Sequence, residues 1–276
     1  MKRKRWVGFV LLLMLFGALF LVSATMILRT LAQAQKEKRA FEELAGIVSA
    51  PVESTEDAMQ PEEREPEETG DAENAPAPIE TPSPYALIKE RNPDFFGWIY
   101  IEDTGLDYPV MHTPEDEEYY LRRSFDGVRS QCGVPFLAAS CFEGCGNYIV
   151  YGHNMNNGTM FAPLLHYAER EYWQEHPLIG FDTYDTAGEY EVLAAFYSQS
   201  YPKDVDGVFR YYRYTDLTAP EVFAEYVEQV KKSALYDTGV SAEYGDELLT
   251  LSTCSYHTEN GRFVVVARKK AQSGEE

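Results

Sequence analysis

Two short stretches hold the residues that could do covalent chemistry. Thr250-Leu251-Ser252-Thr253-Cys254 reads as a strand ending in a thiol, and after a polar turn Arg262-Phe263-Val264-Val265-Val266 reads as the next strand, opening on an arginine. A thiol attacks carbonyls as its thiolate, and a fixed cation beside it favours that anion or steadies the oxyanion that attack creates. A hairpin keeps the two side chains together, but it lacks a proton carrier. His257 lies in the turn, yet positions i and i+3 point to opposite faces of a strand that continues. His153 lies far upstream in Tyr151-Gly152-His153-Asn154-Met155, where a strand-like run ends at a glycine, and strand ends on a rigid scaffold suit catalytic side chains. His153 is the preferred base; His112, His166 and His176 have no nucleophile near them in sequence.

Several short runs rich in β-branched and aromatic residues, each bounded by Gly, Asp, Asn or Pro, must position these groups. They are Phe95–Ile101, Leu106–Met111, Gly133–Ala139, Tyr148–Tyr151, Leu178–Phe181, Tyr190–Tyr197, Leu248–Thr253 and Arg262–Arg268. Helical insertions are expected at Glu115–Arg122, Ala162–Gln174 and Pro220–Ala234; in the last, Val222, Phe223, Tyr226, Val227 and Val230 recur at helical spacing behind a proline. The domain is mostly β. A closed barrel of these strands leaves no exposed edge, and a two-sheet sandwich is the competing architecture.

Among 276 residues the formal net charge is -21, which repels phosphates and argues against a nucleic-acid partner. The chain opens with a basic cluster, Lys2-Arg3-Lys4-Arg5, and then runs from Trp6 to Leu28 without a charged residue. At about 1.5 Å per residue such a helix spans a bilayer core of roughly 30 Å, and it exceeds the apolar region of an ordinary signal peptide. A membrane anchor with a cytoplasmic N-terminus is expected. A helical stalk follows, and then Ser49 to Pro84, rich in Pro, Glu, Ala and Thr, reads as an extended acidic spacer. The division is a basic tail at 1–5, an anchor at 6–28, a stalk and linker at 29–84, a folded domain at 85–270 and a tail at 271–276.

Besides Cys254 the domain holds Cys132, Cys141 and Cys145, close together upstream of His153. Their gaps do not reproduce a C-x2-C zinc knuckle; a disulfide among them and free thiols both remain open.

The Thr250-to-Cys254 run, Arg262 eight positions on, and Tyr151-Gly-His-Asn-Met155 resemble the sortases, and within them class B. The likeness covers roughly Phe95 to Lys269 and extends to the basic N-terminus, single membrane helix and linker. It implies a closed β-barrel of eight strands with a few helices, carrying a cysteine transpeptidase site outside the membrane of a Gram-positive type cell. By position, the resemblance makes Cys254 the nucleophile, His153 the general acid and base, and Arg262 the oxyanion or carbonyl partner. It places Tyr151, Leu121 and Ser252 along the substrate groove. It implies cleavage after Thr in a C-terminal sorting signal of the NPxTx or LPxTG kind, through a thioester, with transfer to an amine of a cell-wall precursor or a pilin. No metal and no organic cofactor is called for. Two other functions share the residues: a cysteine hydrolase whose thioester is resolved by water, and a noncatalytic membrane-tethered binding barrel. Ser255 stands where some class B members carry an acidic residue, and the Cys141-to-Cys145 loop is outside the motif.

Overall fold

The computed structural model describes residues 2–49 and 83–271. Residues 50–82 of the expected spacer and 272–276 of the tail lie outside the described residues. Two units are present and are taken separately. The first is dominated by α1, Lys2–Ser49, a helix long and apolar enough to cross a membrane.

The second unit is a closed barrel of eight strands in the order β1-β2-β3-β4-β7-β8-β6-β5. The strands are β1 (Phe95–Ile101), β2 (Leu106–Met111), β3 (Phe136–Leu137), β4 (Asn147–Gly152), β5 (Leu178–Thr183), β6 (Glu189–Gln199), β7 (Leu248–Cys254) and β8 (Gly261–Lys269). Pairing is antiparallel except between β2 and β3 and between β4 and β7. The β1–β5 pair closes the barrel, so the sandwich alternative is set aside. β7 is buried along nearly its whole length, its three leucines in the core and its three hydroxyl groups each hydrogen-bonded.

Two expected elements are shorter than their sequence patterns suggest. The Gly133–Ala139 run keeps only Phe136–Leu137 as strand. Gly133 has φ +60, and Pro135 has no N–H to donate, offering instead its carbonyl to the Met111 amide at 2.9 Å. The helix expected at Glu115–Arg122 is a single 3-10 turn, Tyr119–Arg122. The Ala162–Gln174 pattern splits into a 3-10 helix, Ala162–Ala168, and α3 (Arg170–Glu175), because Glu169 between them is extended (φ -98, ψ 130). A short helix, α2 (Ala86–Arg91), precedes β1 and has no counterpart in the sequence expectations.

The last helix, α4 (Pro220–Ser233), follows its pattern closely. Pro220 sits in the first turn, where its missing N–H has no intrahelical partner to lose. Phe223, Tyr226, Val227 and Val230 are buried in one cluster with Leu193, Ala194 and Phe196 of β6, Leu248 of β7, and Val264 and Val266 of β8. Burying side chains of this size stabilises the fold by about 1.5–3 kcal/mol each. α4 thereby covers one face of three adjacent strands, and that cover frames the site.

Candidate active site

Strand alternation puts Leu248, Thr250, Ser252 and Cys254 on one face of β7. On β8, Val266, Val264 and Arg262 stand opposite Thr250, Ser252 and Cys254. On β4, Ile149 and Tyr151 stand opposite Thr250 and Ser252. The face is roofed residue by residue. The Tyr226 hydroxyl of α4 lies 2.6 Å from that of Thr250, and the Tyr211 hydroxyl lies 2.6 Å from that of Ser252. Cys254 is the next residue on this face and the first that is half-buried rather than buried. Arg262 is its direct cross-strand partner, in the arrangement where side chains of an antiparallel pair meet.

His153 follows β4, two residues past Tyr151 and on the same face. The last rung of the parallel ladder, Gly152 against Thr253, brings the histidine backbone alongside Cys254. Two side chains tie these strand ends together: Asn154 Nδ2 donates to the Cys254 carbonyl at 3.0 Å, and the Thr253 hydroxyl donates to the Gly152 carbonyl at 2.8 Å. The chain then folds back, with Asn154 bridging to Met160 and the Phe161 amide donating to the His153 carbonyl at 2.9 Å. Position 152 must be glycine here, because a Cβ would meet Phe161 Cγ at 2.5 Å.

The imidazole is oriented from the other side. His153 Nε2 lies 2.8 Å from the Leu121 carbonyl oxygen, which can only accept, so Nε2 carries the proton and Nδ1 the lone pair. Leu121 belongs to the 3-10 turn after β2, and Gly133 packs so tightly under that turn that a Cβ would lie 2.6 Å from its carbonyl oxygens. Burial lowers the His153 pKa below the usual value; the Arg122 guanidinium adds to this, and the bond to Leu121 opposes it. The neutral ring is favoured near pH 7.

Arg262 Nη1 donates to the carbonyls of Gly261 (3.1 Å) and Asn260 (3.4 Å). Among the described residues no carboxylate lies within ion-pair distance of it. Its charge is therefore not neutralised by a carboxylate. Tyr211 has its phenol pushed up to about 12, chiefly by burial, with the Ser252 bond and Arg262 pulling the other way. Tyr151 packs on Phe136 at 5.6 Å and is raised mainly by burial, again against the Arg262 charge.

The six residues read from the sequence thus fall into two groups. Cys254, Arg262, His153, Tyr151 and Leu121 meet at one end of the β4–β7–β8 sheet, half-buried. Ser252 is 1% exposed with its hydroxyl on Tyr211, one layer beneath the open end. His257, the rival base, is exposed, bonded to Ser255 (3.0 Å), and packed against Tyr197 with the rings tilted and their centroids 4.7 Å apart. Tyr197 pairs with Phe263, one position out of phase with Arg262, so His257 sits against the opposite face of the sheet. Two neighbours had no expected role. Asn154 stands inside the His153 motif, but nothing in sequence aims its carboxamide at Cys254. Tyr211 lies in an aromatic run, Phe209-Arg210-Tyr211-Tyr212, with no sign of which ring is buried at Ser252.

Comparison with known proteins places the chain in a family. The sortase domain pattern matches residues 99–270. The chain belongs to the sortase family. Its sequence is 31% identical over 182 residues to sortase B of Listeria monocytogenes, covering 64% of this chain and 70% of that one. It is 27% identical over 188 residues to sortase B of Staphylococcus aureus, covering 67% of this chain and 73% of the relative. The crystal structure of Clostridium perfringens sortase B superposes with a TM-score of 0.60 at 28% identity, covering 67% of this chain and 98% of that one. This sortase is a class B-like cysteine transpeptidase; sortases are membrane-anchored, and among the described residues one helix is long and apolar enough to cross a membrane.

Proposed function

We propose that this sortase cleaves a C-terminal sorting signal of the NPxTx or LPxTG type after its threonine and transfers the protein to an amine. Cys254 is the nucleophile: its thiol gives its proton to His153, and the thiolate attacks the threonine carbonyl. The developing oxyanion is met by Arg262, whose guanidinium has no competing carboxylate among the described residues. His153 then gives a proton to the departing amine, leaving a thioester on Cys254. An incoming amine, from a cell-wall peptide precursor or a pilin lysine, loses a proton to His153 and displaces the thiol. Leu121 and Tyr151 line the groove beside the reacting carbonyl, and Ser252 supports it from beneath. α1 anchors the enzyme with its N-terminus in the cytoplasm and the barrel outside, substrates being exported proteins that carry the signal.

The observation that supports this reading is the register of three strands, which sets Cys254 opposite Arg262 and beside the strand end that carries His153. The test is incubation of the enzyme with a panel of sorting-signal peptides and amines, followed by mass spectrometry for thioester and ligated product. Cys254→Ala and His153→Ala are expected to abolish ligation. Arg262→Lys is expected to lose most of it, since a point charge does not reproduce the guanidinium fork. Ligation by Cys254→Ala at the wild-type rate would remove the thiol from the mechanism, and release of acid with no amine adduct would make the enzyme a hydrolase.

A further inference from the structure

The loop between β3 and β4 holds two cysteines that the transfer reaction does not use. Cys141 and Cys145 are 3% and 0% exposed and flank a turn closed by the Cys145 amide on the Phe142 carbonyl at 3.1 Å, with Gly144 at φ +80. Both sulfurs converge on one acceptor, the Asn147 carbonyl oxygen, at 3.7 Å from Cys141 and 3.4 Å from Cys145. The Ile149 amide donates to Cys141 Sγ at 3.4 Å. Cys132 is engaged in a different turn, with the Ser130 hydroxyl at 3.2 Å and the Gly133 carbonyl at 3.5 Å.

The frame around the pair is rigid. Asn147 is fully buried, its amide donating to the Tyr214 carbonyl at 2.7 Å and its side-chain oxygen accepting from Thr250 at 2.8 Å. Cys145 and Gly146 are fixed from both sides, by the Leu217 amide on the Cys145 carbonyl (2.7 Å) and the Leu248 amide on the Gly146 carbonyl (2.9 Å). A loop held this way presents its two thiols to each other.

We infer that Cys141 and Cys145 are an intraloop disulfide site, oxidised by thiol–disulfide exchange with a small-molecule or protein disulfide. The thiols are also unequal: the hydrogen bond from Cys141 lowers the Cys145 pKa, and the same bond, with burial, raises that of Cys141. Both thiols are buried, so exchange begins when the loop opens locally. The thiolate exposed by that opening attacks one sulfur of the oxidant and expels a thiol, leaving a mixed disulfide. The other cysteine then loses its proton, attacks the protein sulfur of the mixed disulfide and expels the second thiol. The protein gives up two hydrogens, and the oxidant's disulfide becomes two thiols.

Position keeps this chemistry away from the nucleophile. Asn147 pairs with Leu248 at the start of β7, and Cys254 ends that strand about 20 Å away at roughly 3.3 Å per residue. Oxidising the pair removes the thiols nearest the first half of β4 and leaves Cys254 free. The inference is independent of the roles given to the catalytic residues. The side of the membrane on which the barrel lies decides only how fully the pair is oxidised in the cell.

The experiment uses the full chain in detergent, equilibrated in an oxidised/reduced glutathione buffer, alkylated and mapped by mass spectrometry. The expected product has lost two hydrogens, carries one link between Cys141 and Cys145, and still alkylates at Cys254. Its thermal midpoint exceeds that of the reduced chain by about 5 °C, as a short closed loop predicts for a domain of this size. That redox-dependent shift is expected to vanish in Cys141→Ser and in Cys145→Ser and to persist in Cys132→Ser. Mapping of the wild-type chain does not depend on whether the variants fold. Cys141 and Cys145 alkylating freely at equilibrium, or a link through Cys132 or Cys254, would overturn the proposal.

Discussion

One of the two side-chain bonds that join the halves of the site comes from a carboxamide. Asn154 Nδ2 donates to the carbonyl of Cys254, so the segment that carries the base also fixes the backbone of the nucleophile. Such a bond contributes about 0.5–1.5 kcal/mol net, which corresponds to a loss of up to about tenfold in rate if it is realised in the transition state. Asn154→Ala is accordingly expected to lower kcat by about that factor with KM little changed. Asn154→Asp should be worse than alanine, because it sets a carboxylate against a carbonyl and beside a thiolate; steady-state ligation kinetics on both variants check the order, and an aspartate variant as active as wild type would refute the role. The second residue-scale expectation concerns His153. Its pKa is depressed by burial first and by Arg122 in addition, so NMR titration of the ring should give a midpoint below the usual 6.5. Arg122→Gln removes a neighbouring positive charge and should move that midpoint upward. The stability consequence has a definite sign: the unfolded chain protonates this ring more readily than the folded one, so its contribution is intact above about 6.5 and is lost as pH falls toward the folded value. Cys254 and His153 stand out in the sequence because their types are scarce and lie at strand ends, and Arg262 because it opens the strand that follows the cysteine. Asn154 and Tyr211 were not, since amide and phenol groups serve many structural ends and only register shows where they point.

At the scale of elements, what makes Cys254 available is that the cover over its strand stops one residue short. Thr250 is capped by Tyr226 and Ser252 by Tyr211, each hydroxyl pair at 2.6 Å and buried. The roof of α4 was readable from its apolar spacing, and most strands from their β-branched runs. The loop that delivers Tyr211 was not, because it has no periodicity and is held by single contacts such as the Arg210 guanidinium on the carbonyls of Pro202 and Val205. β3 was overestimated for a related reason: its residues are strand-like in type, and only backbone groups (a proline and a left-handed glycine) limit it. The roof can be tested through its hydroxyls. Tyr211→Phe leaves the Ser252 hydroxyl buried without its partner, at a cost of about 1–3 kcal/mol. Adding Ser252→Ala removes the stranded group, so the double variant should be more stable than Tyr211→Phe alone, with a coupling of about 1 kcal/mol in denaturant unfolding. Additive effects would show that the hydroxyl pair does not couple the loop to β7.

At the scale of the whole molecule, the chain is divided by charge and hydropathy more sharply than by fold. The apolar run of α1 holds no charged residue from Trp6 to Leu28, whereas the stretch from Glu62 to Glu68 holds five glutamates. A glutamate-specific protease therefore finds its densest cluster of sites between the anchor and the barrel. Within the barrel several glutamates are tied into structure, including Glu117 on the Ala139 amide (2.6 Å), Glu191 on Arg268 (2.7 Å) and Glu247 on Lys269 (3.0 Å). Cleavage there requires opening of packed strands, a rare event in a closed sheet. Brief treatment of intact, wall-stripped cells with that protease should release a soluble fragment beginning between residues 50 and 83, while α1 stays with the membrane. The fragment should ligate peptides to amines as fast as the intact enzyme, because every residue placed at the site lies between Leu121 and Arg262. The same digestion reports orientation, since a barrel on the cytoplasmic side would be cut only after lysis. A fragment that appears only in lysed cells would overturn the proposed topology, and a released but inactive one would mean that the site needs the anchor.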